Sequence, residues 1–244
     1  LAHNGLMFQG RTTARWVGTG PIVIPPGADR GDQPDGLPRV VRLQHMPDFS
    51  YLVVDFSQAY RNTNGRRVDW PYAERALREF LFIRPLNALV ILDRMRASSD
   101  SLLSFYGTDS WVERSDPLAV RVGAAQVTRS FIMHFEVAPT TAANRVQATQ
   151  LITLLPASPA FRIVNEDRPG DEDAGQFRLE LDSVGSVESY FLNVVHGRDT
   201  GDAALAATLA DNGDRWTLQL NHPVLGNASV VLKKGMVSKG GSIA

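Results

Sequence analysis

The fold is decided by residues 80–92, which read Phe-Leu-Phe-Ile-Arg-Pro-Leu-Asn-Ala-Leu-Val-Ile-Leu. Two continuous apolar runs, Phe80–Ile83 and Ala88–Leu92, are too short for helices and suit strands that are buried on both faces. The segment Arg84–Asn87 between them suits a turn. We therefore predict a central β-hairpin. Because both of its faces must be covered, the sequence predicts stacked sheets and not one open sheet.

Shorter patterns along the chain predict further antiparallel strands. Apolar and polar side chains alternate in Phe177–Leu181 and in Trp216–Leu220, as a strand with one wet face requires. The pair Asn212-Gly213 tolerates the positive φ angles of a tight hairpin, so it is expected to join residues 203–210 to 215–220. Three other apolar runs predict core strands: Tyr51–Phe56, Phe131–Phe135 and Gln150–Leu155.

These patterns together predict an all-β fold, a large antiparallel β-sandwich of stacked sheets. Residues 1–158 are expected to form the main sandwich, and residues 159–244 a smaller C-terminal β-sheet layer that continues it. Residues 72–79 are rich in helix formers but lead directly into the strand at Phe80. A single helical turn and an extended start of that strand are both open there.

Composition excludes several classes of protein. Hydrophobic residues make up 43% and charged residues 21% of the 244, and this balance is typical of globular domains and not of disordered or membrane proteins. The formal net charge is −1 and no run of like charge occurs, so neither a nucleic-acid partner nor a membrane partner is predicted. The chain has no cysteine, which excludes disulfides, thiolate nucleophiles and cysteine-ligated metals.

Residues able to carry chemistry are scattered. None of the five histidines stands at metal-chelating spacing from another, and no GxSxG nucleophile motif occurs. His134 is expected to be a structural histidine within a strand, whereas His45, His196 and His222, near loops or strand ends, are expected at the surface. The aspartates at 29, 32 and 35 predict a solvated loop, because their spacing does not fit an EF-hand. Candidates for stacking on sugars are Trp16, Trp70, Trp111, Tyr60 and Tyr106.

Three groups of segments resemble the heparinase II/III-like polysaccharide lyases. The first is Ala2-His3-Asn4-Gly5-Leu6-Met7-Phe8-Gln9-Gly10, which is similar to that family's His-Asn-Thr-Val strand followed by a glycine, although Gly5 replaces the usual Thr or Ser. The second and most specific comprises residues 51–61, 78–85 and 89–94. The third comprises residues 131–135 and 151–156. The resemblance covers residues 1–165 and implies the C-terminal β-sheet region of such a lyase.

The resemblance also implies partners for the chain. In these lyases an N-terminal α/α toroid carries the catalytic residues, and no toroid is predicted in these 244 residues, so no catalytic residue is assigned here. His3 matches the family's zinc-ligating histidine, which acts with a His and an Asp from upstream strands. Because those ligands would precede Leu1, zinc is expected only when they are present. The implied substrate is an acidic polysaccharide, and the implied location is the bacterial periplasm or the extracellular space.

Two functional hypotheses follow. In the first, the chain is the C-terminal β-sandwich portion of a lyase that cleaves a uronic-acid-containing polysaccharide by β-elimination, and the chain alone is inactive. In the second, it is a non-catalytic carbohydrate-binding or scaffold module. The sequence does not choose the polysaccharide, because the residues that would contact it belong mostly to the toroid. Since Leu1 opens within what resembles a structural element, we expect a part of a longer protein or one that pairs with a separate toroid chain.

Overall fold

The computed structural model describes residues 6–9, 39–57, 73–97, 126–133, 147–165, 177–183, 188–199, 201–236 and 241–243. Over these ranges the chain is almost entirely extended, apart from turns and a 3-10 helix at Arg84–Leu86. The same ranges contain no helix with the length and apolarity needed to cross a membrane. The strands are β1 (Leu6–Gln9), β2 (Arg39–His45), β3 (Phe49–Asp55), β4 (Ala73–Ile83), β5 (Ala88–Ala97), β6 (Gln126–Met133), β7 (Gln147–Leu155), β8 (Ala160–Asn165), β9 (Phe177–Ser183), β10 (Glu188–Asp199), β11 (Ala206–Asp211), β12 (Arg215–His222), β13 (Gly226–Lys233) and β14 (Gly241–Ile243).

The strands form three antiparallel sheets. The first sheet has the order β1-β6-β9-β8, the central sheet has the order β2-β3-β4-β5-β10-β7, and the C-terminal sheet has the order β11-β12-β13-β14. The predicted all-β antiparallel architecture is therefore confirmed. The strands that follow residue 159 contribute to all three sheets, since β8 and β9 lie in the first and β10 lies in the central one. The division at residue 158 stays a prediction.

The predicted central hairpin is β4 and β5, which pair from Ala73↔Ala97 to Ile83↔Ala88. Pro85 lies in the 3-10 helix that turns the chain, and Asn87 then adopts a left-handed conformation with φ of 46°. Asparagine tolerates this region better than most residues do. Because β4 begins at Ala73, the strand alternative is correct for residues 73–79 and the helical turn is wrong.

One core fills the space between the central and C-terminal sheets. Along β5 the alternate residues Ala88, Val90 and Leu92 face this layer, as the two-residue period of a strand requires. They pack in one cluster with Leu192 and Val194 of β10 and with residues of the C-terminal sheet. The latter are Trp216, Leu218, Leu220, Ala228, Val230 and Leu232.

A second core lies on the opposite face of the central sheet. Ile91 and Met95 of β5 and Phe191 of β10 are buried there against Leu181 of the first sheet. The central sheet therefore carries an apolar layer on each face, and the prediction of stacked sheets is confirmed. This double burial explains why its hairpin reads as unbroken apolar runs.

The hairpin predicted at Asn212-Gly213 is also confirmed, since it joins β11 to β12. Gly213 has a φ of 79°, which a residue with a Cβ adopts only at a cost. The Asp211 carboxylate accepts a hydrogen bond from the Gly213 amide at 3.0 Å, and the Asn212 amide donates to the Arg215 carbonyl at 2.9 Å. These contacts fix the register that puts alternate residues of β12 into the core.

Two buried ion pairs cross the central hairpin, one on each face. Arg78 Nε lies 2.5 Å from Asp93 Oδ1, and these residues stand directly opposite each other in register. On the other face Arg94 Nε lies 2.5 Å from Glu79 Oε1. Tyr51 donates its hydroxyl to the second Glu79 oxygen at 2.5 Å, and Arg94 also donates to the Gly235 carbonyl at 2.8 Å. Arg94 therefore ties the C-terminal sheet segment to the central sheet.

Candidate functional site

A cavity of about 530 Å³ opens at one end of the layer between the central and C-terminal sheets. Its walls come from the end of β10, the segment that leads to β11, and the turn between β12 and β13, together with β7 and the turn between β4 and β5. Polar side chains predominate in its lining, whereas the adjoining core is apolar. The lining includes Asn87, Thr149, His196, Arg198, Asp199, Asp202 and His222, together with Val224 and Leu225.

Strand periodicity explains why two histidines meet in this cavity. On β10, Leu192 and Val194 face the C-terminal sheet, and His196 continues the same row. On β12, Leu218 and Leu220 face the central sheet, and His222 continues theirs. The two rings therefore lie at the ends of two apolar rows that face each other. They contact edge to face, with their centroids 5.5 Å apart.

His222 has all of its polar atoms engaged. Its Nδ1 accepts hydrogen bonds from the backbone amides of Val224 at 3.2 Å and Leu225 at 3.0 Å. An amide can only donate, so Nδ1 is the unprotonated nitrogen. Nε2 then carries the proton and donates to the Ala203 carbonyl at 3.0 Å. This histidine fixes the β12–β13 turn against the segment before β11.

His196 differs from His222 because one of its nitrogens is unsatisfied. The residue is 1% exposed, and its Nδ1 is buried with no hydrogen-bond partner among the described residues. Burial lowers the pKa of His196 below its ordinary value, and the neighbouring His222 and Arg198 lower it further. His196 is therefore neutral near pH 7, with one ring nitrogen as a donor and the other as an acceptor.

A short charged loop forms the outer wall of the cavity. Arg198 donates from Nη1 to the backbone carbonyl of Asp202, while its buried Nε has no partner among the described residues. The Asp202 amide donates to the Asp199 carbonyl at 3.1 Å, and the Asp199 amide donates to the Asp202 carboxylate at 3.3 Å. The loop thus presents two carboxylates and one guanidinium with an unused donor.

The expectation of surface positions is wrong for two of the three histidines. His196 and His222 are 1% and 8% exposed, because each continues a row of core residues to the end of its strand. Sequence reasoning placed them by their polar neighbours and missed this row, which the alternation in Trp216–Leu220 would have extended to residue 222. His45 is exposed, as expected, and its Nδ1 lies 2.9 Å from Ser50 Oγ.

The other residues singled out from the sequence lie outside the described residues. These are His3, His134, the aspartates at 29, 32 and 35, and the aromatic candidates Trp16, Trp70, Trp111, Tyr60 and Tyr106. Over the part of the chain that the structure describes, no group of three His, Cys, Asp or Glu side chains could hold a metal ion. The described residues alone therefore do not provide a zinc site, and the role of His3 stays a prediction.

Comparison with known proteins gives similarity in fold. No protein-family model matches the chain, and no curated protein matches it. Among solved structures, a heparinase III with methylated lysines is similar over 82% of this chain, with 9% identity and a TM-score of 0.50. A mutant of the heparan sulfate lyase HepC from Pedobacter heparinus is similar over 84%, with 10% identity and a TM-score of 0.48. The chain spans 28% of the length of each of these proteins, and the likeness to the heparinase III is one of fold alone.

Proposed function

We propose that this chain is the C-terminal β-sandwich portion of a polysaccharide lyase that cleaves a uronic-acid-containing polysaccharide by β-elimination. The observation that carries the proposal is the three-layer antiparallel fold, which matches part of a heparinase III over 82% of this chain. The resemblance of residues 51–61, 78–85 and 89–94 to heparinase II/III-like lyases supports it from the sequence. In this proposal an N-terminal α/α toroid supplies the remainder of the enzyme, which acts in the bacterial periplasm or outside the cell.

The proposed division of labour follows from the chemistry of β-elimination. A base must remove the proton beside the uronate carboxyl group, whose charge must be neutralised, and an acid must protonate the leaving glycosidic oxygen. In the proposal these groups belong to the toroid. The sandwich supplies a rigid wall for the cleft, because its central sheet is packed on both faces and cross-linked by Arg78–Asp93 and Arg94–Glu79.

Zinc enters the proposal through His3 alone. A structural zinc site needs four ligands, and a site shared with upstream strands would obtain the others from the parent protein. Elemental analysis of the parent and of its His3→Ala variant tests this point. We expect bound zinc in the parent and its loss in the variant, with His45→Ala, which changes an exposed histidine, as the matched control. Equal zinc content in all three proteins would contradict the assignment.

The lyase proposal is tested by comparing the parent protein with the 244-residue chain. Both are incubated with heparan sulfate and alginate, and the unsaturated sugar formed by elimination is followed by its ultraviolet absorbance. We expect product from the parent and none from the chain alone. Product formed by the chain alone, or by a parent from which residues 1–244 have been deleted, would contradict the proposal. Retardation of the chain in polysaccharide gels, with no product from the parent, would favour the carbohydrate-binding module instead.

A further inference from the structure

We propose that three exposed arginines of the central sheet, Arg39, Arg42 and Arg75, form a site that binds the acidic groups of a polysaccharide. We call these three residues the arginine patch. It lies at the opposite end of β4 from the cavity, since Arg75 is near the start of β4 and Asn87 of the cavity follows its end. The inference rests on the proposed function for the class of its ligand, and it adds the residues of this chain that would hold that ligand.

A β-bulge places two of these arginines on one face of the sheet. Arg39 and Arg42 are three positions apart, so in a regular strand their side chains would point to opposite faces. The pairing of β2 with β3 shifts at Val41, which is the extra residue on β2. Arg39 then stands opposite Asp55, and Arg42 stands opposite Val53. Because residues 53 and 55 share a face, the two arginines share it also. Bulges that re-aim a side chain in this way are frequent beside functional sites.

The third arginine reaches the same face from β4. Asp55 of β3 stands opposite Leu77, and Arg75 precedes Leu77 by two positions, so its side chain lies on that side of the sheet. Arg39 Nη2 lies 3.9 Å and Arg75 Nη1 lies 3.6 Å from the same oxygen, Oδ2 of Asp55. Three adjacent strands therefore bring two guanidinium groups to one carboxylate.

Asp55 positions Arg39 and Arg75 without occupying their hydrogen-bond donors. Both contacts are longer than the roughly 2.7–3.2 Å of an N–H···O hydrogen bond. The carboxylate itself is fixed, because Asp55 is 7% exposed and accepts a hydrogen bond from the Ser57 amide at 2.9 Å. The side chains of Arg39 and Arg75 are 75% and 46% exposed, and neither has a hydrogen-bond partner among the described residues. Their N–H groups are therefore available to an anion.

Arg42 is also held in a way that leaves its donors available. Its guanidinium carbon lies 5.7 Å from the centre of the Tyr51 ring, and the Tyr51 hydroxyl donates a 2.5 Å hydrogen bond to Glu79. A cation–π contact uses the flat face of a guanidinium, whereas its N–H groups lie in the plane and point outward from the edge. Arg42 is exposed, so this edge can meet a ligand.

The charge of the arginine patch favours an acidic ligand. Its three positive charges are opposed by the single carboxylate of Asp55, and the neighbouring Glu79 is already compensated by Arg94. The whole chain has a formal net charge of −1, so attraction for a polyanion would have to come from a local excess of this kind. The fork of an arginine matches the paired oxygens of a carboxylate or a sulfate. Acidic groups that recur along a polysaccharide can contact successive arginines.

The test is binding of the 244-residue chain to immobilised heparan sulfate, alginate and dextran, measured by surface plasmon resonance at about 0.15 M salt, where the screening length is about 8 Å. We expect binding to at least one of the two acidic polymers and none to uncharged dextran. In the double variant Arg39→Gln/Arg42→Gln the affinity should fall about tenfold or more, because two charge-assisted contacts are lost. Binding to alginate would identify carboxylate as the recognised group, and binding to heparan sulfate alone would identify sulfate.

The matched control is the double variant Arg215→Gln/Lys233→Gln, which removes the same amount of positive charge from the C-terminal sheet. These two residues are exposed and stand opposite each other on β12 and β13. They point away from the central sheet, since Trp216 and Leu232 beside them face the core. The affinity of this control should stay within about twofold of the wild type.

Several results would overturn the inference. These are a failure of both acidic polymers to bind, an equal loss of affinity in the two double variants, or tighter binding of single-stranded DNA than of either polysaccharide. Arg39 and Arg42 are exposed, so their replacement leaves the core intact. The outcome is separable from the proposed function, because binding is measured on this chain and elimination is measured on the parent.

Discussion

Replacing Glu79 with leucine is expected to cost about 3–5 kcal/mol of unfolding free energy, because it leaves the charge of Arg94 buried without its partner. Arg94 is 1% exposed and Glu79 is 4% exposed, and they are joined by the 2.5 Å contact across the β4–β5 hairpin. Arg94→Met should cost a similar amount, since it leaves the carboxylate buried instead. The double variant removes both charges. It should lose only about 1–2 kcal/mol, since the Tyr51 hydroxyl loses its hydrogen bond to Glu79 and the Gly235 carbonyl loses its hydrogen bond to Arg94.

Urea unfolding followed by tryptophan fluorescence measures all four proteins of this cycle, and an unchanged m value checks that the transitions are comparable. Glu188→Gln is the control, because Arg96 and Glu188 form a half-exposed pair with 40% and 36% of their side chains accessible. That change should cost less than about 1 kcal/mol. The reasoning is refuted if Glu79→Leu costs no more than Glu188→Gln, or if the double variant loses the sum of the two single losses.

Three further predictions concern the core, a turn and pH. Leu218→Ala should lose about 2–5 kcal/mol, because Leu218 is fully buried between the central and C-terminal sheets, whereas Leu43→Ala, at a 71% exposed position, should stay within about 0.5 kcal/mol. Equal losses in urea unfolding would contradict the assignment of that layer as core. Gly213→Ala should lose about 1–2 kcal/mol, because a Cβ is unfavourable at its φ of 79°; an unchanged midpoint would argue against this turn. Burial lowers the pKa of His196 from 6.5, so its titration costs no stability above that pH and destabilises the folded state as pH falls below it, because the unfolded chain binds the proton more readily. A pH series of urea titrations should therefore show a shallower loss below pH 6.5 in His196→Leu than in the wild type, and parallel curves would be the contrary result.

Local sequence patterns were sufficient to predict the strands in which apolar and polar side chains alternate. Phe177–Leu181 and Trp216–Leu220 lie within β9 and β12, as their alternation predicts, and Asn212-Gly213 joins β11 to β12. These features depend on neighbours within a few residues, through side-chain alternation and the φ angles of a turn. The central hairpin was predictable for the same reason, because its two apolar runs are separated only by a turn.

Residues 73–79 show where local preference fails. Alanine, glutamate and arginine favour a helix, yet these residues form the start of β4. Arg78 and Glu79 are paired across the hairpin with Asp93 and Arg94, so their long polar side chains serve cross-strand contacts. The partners of β10 depend on distant contacts in the same way. Its place between β5 and β7 joins segments that the sequence separates by long intervals, and no local pattern specifies it.

The candidate cavity depends on the stacking of two sheets and could not be predicted from either histidine alone. His196 belongs to the central sheet and His222 to the C-terminal sheet, and their contact exists only because two apolar rows face each other. The alternation within each strand could have indicated only that each histidine lies on the buried side of its sheet. The aromatic residues that the sequence favoured for sugar contact lie outside the described residues.

The position of His196 in a row of core residues leads to one more prediction. An apolar side chain there would extend the packing of Leu192 and Val194. It would also remove the buried Nδ1, which has no hydrogen-bond partner among the described residues, so His196→Leu should raise the unfolding free energy by about 1 kcal/mol at pH 7. Urea unfolding of the wild type and the variant at pH 7 measures this difference. A variant that is destabilised by more than about 1 kcal/mol would instead make His196 a structural residue, since its ring contact with His222 would then outweigh the unsatisfied nitrogen.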